Sequence, residues 1–184
     1  MDLEPDFAFR GSRNYLHSTT VMNELLRLRD GAPGGFDFRF DRRTNRQVRF
    51  QDHAPLEGEV AVGTWRDAAG MVHIVERDAH IERAEPYDED RLASSLGFNE
   101  NTVELPAELP GYAPVEAIVA AFKALLRRGP AGPDAKVAFV RLACNASPGL
   151  PLRISYSRRL GDFCQGDIEA AGKPLGRIHF GEWR

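Results

Sequence analysis

The sequence predicts an α+β protein in which a strand–helix–strands unit is repeated in tandem about 100 positions apart. Two helical segments carry the same run, Leu25-Leu26-Arg27 and Leu125-Leu126-Arg127, while Pro33 and Asn45 recur as Pro133 and Asn145. Around each helix the order of elements also repeats: a strand-like segment, one helix, a Pro/Gly break, then about four strand-like runs. Internal repetition of this kind can decide a whole fold. The competing reading is an unrelated α+β domain, because any amphipathic helix easily produces Leu-Leu-Arg. On the duplicated plan, residues 1–85 form the first unit, 86–100 a connection and 101–184 the second unit, the halves making one compact body.

Phe7 to Arg10 alternates apolar and other residues and predicts a first strand, turned at Gly11-Ser12-Arg13-Asn14. A helix follows from Ser18 or Thr20 to Arg29, with Val21, Leu25 and Leu28 on one face. Asp30 to Gly35 terminates it with Pro33 and three glycines. Phe36, Phe38 and Phe40 alternate with Asp37, Arg39 and Asp41, a period of two, and Val48 to Phe50 returns as a short strand. Glu59 to Arg66 and Met71 to Glu76 read as a hairpin around Asp67-Ala68-Ala69-Gly70, and Ala79 to Glu82 as one more strand. In the connection, Asp88 to Leu96 predicts a short helix closed by Gly97, and Thr102 to Leu105 a strand.

The second long helix has the strongest local signals. Pro114 suits its first turn, Glu116 its positive end, and Arg127-Arg128-Gly129 its close. Val115, Ile118, Val119, Phe122, Leu125 and Leu126 make the apolar stripe, and four alanines fill other faces. With Lys123 as its only mid-body charge, this helix is expected to be wrapped on more than one side. The wrapping follows: Lys136 to Ala143 is mostly apolar, Leu152, Ile154 and Tyr156 alternate with polar residues, and Asp162–Glu169 pairs with Leu175–Phe180.

At 184 residues and 42% hydrophobic content the chain can bury a core. Its net charge of −3 argues against a dedicated nucleic-acid binder. Of the 24 basic residues only Lys123, Lys136 and Lys173 are lysines, an Arg bias expected of a GC-rich bacterial genome. Cys144 and Cys164 are too few for a disulfide framework or metal site, and read as buried free thiols. No apolar run approaches the roughly 20 residues a membrane helix needs. The acidic start, Met1 to Asp6, is unlike a secretory signal, so a cytoplasmic location is expected.

This order of elements resembles the hotdog fold, in which an antiparallel sheet curls around one long central helix; two tandem copies would make a double hotdog. The resemblance spans nearly the whole chain and rests on element order and helix burial, with no sequence motif. It implies an enzyme acting on acyl thioesters, either hydrolysing them or adding or removing water, with acyl-CoA or an acyl carrier protein as partner. Further copies of the chain are another expected partner; no metal and no cofactor are expected. Hotdog enzymes place an acid, His or Asn near the central helix at the seam between halves. Asn14, His17 and Glu24 occupy the matching region here as catalytic candidates, against Glu116 alone in the second half.

The residues themselves leave alternatives open. Arg10 to Thr20 is the densest polar cluster and runs into a helix N-terminus, where free N–H groups favour an anion or oxyanion. His17 is its acid–base candidate, with Asn14 or Ser12 as hydrogen-bonding partner, and Arg10, Ser12, Arg13 and Tyr15 as substrate-binding candidates. The plainer reading is a turn capped by Ser18 or Thr20. Arg39, Arg42, Arg43, Arg46 and Arg49 form a basic strip, with Arg39, Arg42 and Arg43 the candidates to grip substrate phosphates; a solvated hairpin is the alternative. Asp37, Arg39 and Asp41 read as an ion-pair ladder or an acid–base set. His73 and His179 are expected at a surface or rim, and His53 and His80 lack metal-ligand spacing. Two further functions stay open: a non-catalytic binding or assembly protein holding an apolar or acyl ligand at the helix–sheet seam, and a protein scaffold using the Arg strip.

Overall fold

The computed structural model describes the backbone of residues 2–183 and the side chains of residues 2–182. The chain divides between Tyr87 and Asp88 into two compact units. The first contains β1 (Asp2–Leu3), β2 (Phe9–Arg10), α1 (Ser18–Leu28), β3 (Phe36–Phe40), β4 (Arg46–Gln51), β5 (Ala61–Asp67), β6 (Gly70–His80) and β7 (Ala84–Glu85). Its main sheet is antiparallel with strand order β1-β4-β6-β5-β3, and β2 pairs with β7 in parallel. The Phe alternation is realised in β3: Phe36, Phe38 and Phe40 are buried, Asp37 half-buried and Arg39 exposed. Phe36 stacks on Trp65 at 4.4 Å between ring centroids, and Phe38 meets the same indole edge-on at 6.3 Å.

The second unit contains α2 (Glu89–Ser94), β8 (Gly97–Asn99), β9 (Thr102–Leu105), α3 (Pro114–Arg128), β10 (Lys136–Cys144), β11 (Leu152–Leu160), β12 (Phe163–Ala170) and β13 (Lys173–Trp183). Its antiparallel strands run in the order β8-β9-β11-β12-β13-β10. Helix α3 lies against β9, β10, β11, β13 and α2. All its alanines but Ala124 are buried with the apolar stripe, as expected of a wrapped helix. Phe122 reaches the sheet at Gly166 of β12, where a Cβ would lie 2.5 to 2.9 Å from three ring atoms. The same ring meets Phe180 edge-on at 5.6 Å. Lys123, the lone mid-body charge, is answered by Glu89 of α2 at 2.8 Å. Ala113, at the N-cap, has no side-chain oxygen; Glu116 Oε2 accepts from its backbone N–H at 3.0 Å.

In each unit the long helix is followed by four strands of the main sheet, β3–β6 after α1 and β10–β13 after α3, and the two agree in detail just after the helix. Arg29, Gly31, Ala32 and Gly35 donate backbone hydrogen bonds to Leu25, Leu26, Arg29 and Ala32. At an offset of 100 residues, Gly129, Ala131, Gly132 and Ala135 donate to Leu125, Leu126, Gly129 and Gly132. The next strands then start at Phe36 and Lys136. Their last residues, Phe40 and Cys144, face Gly63 and Gly176. At both glycines a Cβ would collide with the preceding carbonyl, that of Arg39 or Ala143. The units differ in the middle of the sheet. β11 turns directly into its neighbour β12, whereas β4 reaches β5 by residues 52–60 and pairs instead with β6.

Glu59 fastens that longer connection: its carboxylate accepts from Leu56 N at 2.7 Å and Gln51 Nε2 at 3.2 Å, and pairs with Arg49. Those bonds, the Leu56 N–H foremost, hold the Glu59 carboxyl below its ordinary range.

Several expectations are corrected. The N-cap of α1 is His17, so Ser18 and Thr20 lie in the first helical turn and do not cap it. Phe7 and Ala8 are buried but precede the strand, which is confined to Phe9–Arg10 where Arg83 and Glu85 offer carbonyls. The run at Ala79 to Glu82 is not a separate strand: β6 continues to His80 because Arg46 gives it a partner. Gly97 does not close α2, which ends at Ser94 with Ser95 as cap; Gly97 opens β8. Asp41 lies outside β3, whose own ion pair is Asp37–Arg39.

Three outcomes are expected. Gly166→Ala destabilises by about 1–3 kcal/mol through overpacking, and Phe122→Leu in the same chain recovers part of it in urea unfolding. Because the folded pKa of Glu59 is depressed, its stabilisation is present above the ordinary carboxylate value and is lost as pH falls through the folded value. The urea midpoint of wild type therefore exceeds that of Glu59→Gln near neutrality and converges on it in acid. Burial pushes the Cys144 thiol from 9.0 up to about 12, so this thiol resists alkylation at pH 8 in the folded protein. Its linked stabilisation declines as pH rises above 9.0, the ordinary value, which alkaline unfolding midpoints of wild type and Cys144→Ala report.

Candidate active site

The segment entering α1 is fixed at both ends. Gly11 N bonds Glu85 O at 2.8 Å, and Leu16 N bonds Thr44 O at 2.7 Å, with Leu16 fully buried. Gly11 has φ +63°, and a Cβ there would stand 3.1 Å from Tyr87 O, so only glycine fits the turn without strain. This approach brings Tyr87 into the cluster. Arg10 and Arg13 stand over its ring at 4.9 and 5.2 Å, within cation–π range. The His17 ring lies 5.6 Å away at 48°. Arg10 also pairs with Glu85 at 3.4 Å, and Arg13 donates to Arg10 O at 3.2 Å.

His17 is buried, 8% exposed, and its Nδ1 lies 2.6 Å from Oγ1 of the fully buried Thr19. One turn into α1, Thr20 Oγ1 is buried and makes no hydrogen bond. Thr20 is the third residue of α1, in the turn that follows the His17 N-cap. The first turn of α1 contains no acidic residue. A helix start with its positive end unneutralised, a held imidazole and an unused hydroxyl is suited to an electron-rich oxygen.

Among the other candidates, Asn14 and Ser12 are exposed on the turn. Glu24 lies seven residues beyond His17, about 10 Å along the helix. Both its oxygens bond Arg27, at 2.6 and 2.9 Å, so the structure does not bring Glu24 to His17. Tyr15 sits beneath Arg43 at 4.8 Å. The basic strip resolves into separate contacts: Arg39 with Asp37 at 3.9 Å, Arg46 with Asp78 at 2.6 Å, and Arg49 with Glu59. Arg42 is exposed. Of the expected site residues, the structure joins Arg10, Arg13 and His17; Tyr87 and Thr19 complete the cluster. Thr19 was legible as part of the polar run. Tyr87 was not, because it arrives from 70 residues away through backbone pairing.

The second unit carries two further polar groupings. Arg159 pairs with Glu182 at 2.6 Å, and Cys164 Sγ donates to the same carboxylate at 3.8 Å. Burial, with Glu182 adding to it, raises the Cys164 thiol above its ordinary range and keeps it protonated, which argues against a nucleophile. A half-open groove of about 740 Å³ crosses β10, β13 and β12, lined by Arg141, Gln165, Asp167, Glu169, Arg177 and His179 among others. Among the described residues, no group of three or more His, Cys, Asp or Glu side chains could hold a metal ion, and no helix is long and apolar enough to cross a membrane.

No family model matches the chain, and no curated protein matches it. Solved structures do. A thioesterase-like protein of Novosphingobium aromaticivorans aligns over 100% of this chain and 94% of its own, at 10% identity and TM-score 0.49. An erythromycin dehydratase aligns over 95% and 83%, at 15% identity and TM-score 0.48. An acyl-ACP thioesterase of Bacteroides thetaiotaomicron aligns over 100% and 96%, at 9% identity and TM-score 0.44.

Proposed function

We propose that this chain is a tandemly duplicated, hotdog-like protein that hydrolyses an acyl thioester, or adds or removes water across one, at the entrance of α1. The repeated hydrogen-bond pattern after each helix, and the paired glycines Gly63 and Gly176, support the duplication. The observation that carries the activity is the buried imidazole of His17, held by Thr19 beside the first turn of α1.

In hydrolysis, His17 takes a proton from water as the water oxygen bonds to the thioester carbonyl carbon. The carbonyl oxygen gains negative charge and is received by the first-turn N–H groups and the Thr20 hydroxyl. Collapse breaks the C–S bond, and the proton held by His17 passes to the departing sulfur, leaving acid and thiol. In dehydration of a 3-hydroxyacyl thioester the same imidazole removes the proton on the carbon next to the carbonyl. The C–O bond on the following carbon breaks as the double bond forms, and the imidazolium returns its proton to the departing oxygen, which leaves as water. Arg10 and Arg13, braced on Tyr87, would meet the phosphates of an acyl-CoA or a carrier-linked arm.

A second reading, a non-catalytic protein that retains an acyl ligand, is favoured by Glu24. With both its oxygens committed to Arg27, it supplies no carboxylate to work beside His17.

A panel of acyl-CoA and carrier-linked substrates separates the two. The expected result is turnover that falls by about 100-fold or more in His17→Ala, with the fold retained. Turnover indifferent to that substitution would remove His17 from the site. No turnover on any thioester, with ligand retained through gel filtration, would establish the second reading.

A further inference from the structure

His17 and Thr19 form a contact with more consequence than a cap. The Nδ1 to Oγ1 distance is 2.6 Å, and both side chains are buried. A hydroxyl is both donor and acceptor, whereas a carbonyl or carboxylate only accepts. If Nδ1 carries a proton, the Thr19 oxygen accepts it; if Nδ1 is bare, the Thr19 hydroxyl turns and donates. The bond therefore survives in either tautomer, and in the neutral form that takes a proton at Nε2 the Thr19 oxygen accepts from Nδ1 before and after the transfer.

The surroundings make a fixed ring orientation matter. The Tyr87 ring lies against the His17 ring, and Arg10 and Arg13 stand on Tyr87, with Glu85 paired to Arg10. A ring that flipped at each protonation would exchange its two nitrogens within this charged setting and lose its aim at a bound substrate. Thr19 also lies on the second residue of α1, so its position is set by the helix itself.

We propose that Thr19 is a positioning residue for His17, a two-way hydrogen-bond partner that holds the imidazole in one orientation through gain and loss of its proton. The catalytic consequence rests on the reading of His17 as the acid–base group; the orientation of the ring does not.

The test uses the full chain with nitrogen-15-labelled histidine, as wild type, Thr19→Val and Thr19→Ser. Valine keeps the shape and removes the hydroxyl; serine keeps the hydroxyl. In the wild type, the His17 Nδ1 resonance is expected to report a hydrogen-bonded nitrogen in both protonation states, followed from about pH 5 to 9. Thr19→Val shifts that resonance and the tautomer balance, and Thr19→Ser restores both. On a thioester that wild type turns over, Thr19→Val lowers kcat by about 10- to 100-fold. KM changes by less than about twofold, and Thr19→Ser recovers most of the loss. A folded Thr19→Val protein with unchanged His17 nitrogen shifts and an unchanged pH profile overturns the inference. Should that variant not fold, the wild-type spectrum decides, because an unbonded Nδ1 in either state overturns it equally. If the wild type turns over no thioester, the acid–base reading falls, while the nitrogen resonances still judge the Thr19 contact.

Discussion

The close approach of Phe122 to the backbone of Gly166 organises the second unit. A helix can lie this near a sheet only where a strand has no side chain beneath it, and β12 provides that gap at one residue. Once the ring is seated, its neighbours are determined: Phe180 meets it edge-on, and the alanines of α3 let the surrounding strands come close. Burying a phenylalanine contributes about 2–3 kcal/mol, and most of this helix is buried with it. The polar exceptions are handled individually, Lys123 by Glu89 and the first turn by Glu116.

The parts most readable in the sequence are those ruled by local periodicity. The Phe36-Phe38-Phe40 alternation and the stripe of α3 each sort residues by face, and the sorting is what the core requires. At the offset of the Leu-Leu-Arg runs, the backbone bonds between Leu25 and Gly35 have counterparts 100 residues later. The misread parts depend on partners distant in sequence. β6 outlasts its own pattern because Arg46 pairs with His80, and Arg46 and Arg49 of the basic run meet Asp78 and Glu59.

The candidate site divides along the same line. His17, Arg10 and Arg13 were legible because they are crowded into one short run before a helix. The role of Ser18 and Thr20 was misassigned, since the chain enters the helix one residue earlier than a capping side chain would dictate. Tyr87 had no local signal, because a tyrosine after Glu85-Pro86 looks like any linker residue until β2 and β7 pair. Site chemistry in this chain is thus assembled by the sheet: a short parallel pairing delivers the aromatic surface on which two guanidiniums rest.

The contrast between the 52–60 connection and the short turns of the second unit bears on the order in which the chain assembles. β11, β12 and β13 are each other's neighbours in space as in sequence, joined at Gly161-Asp162 and Ala171-Gly172, so they can close as successive hairpins. β4 has no such route. Its partner β6 becomes a docking edge only after the β5–β6 hairpin exists, and the chain between must then be drawn shut. Pairings that wait on other pairings are slow to form. In the second unit β10 and β9 wait in the same way, on β13 and β11, so neither unit completes its sheet by successive hairpins alone.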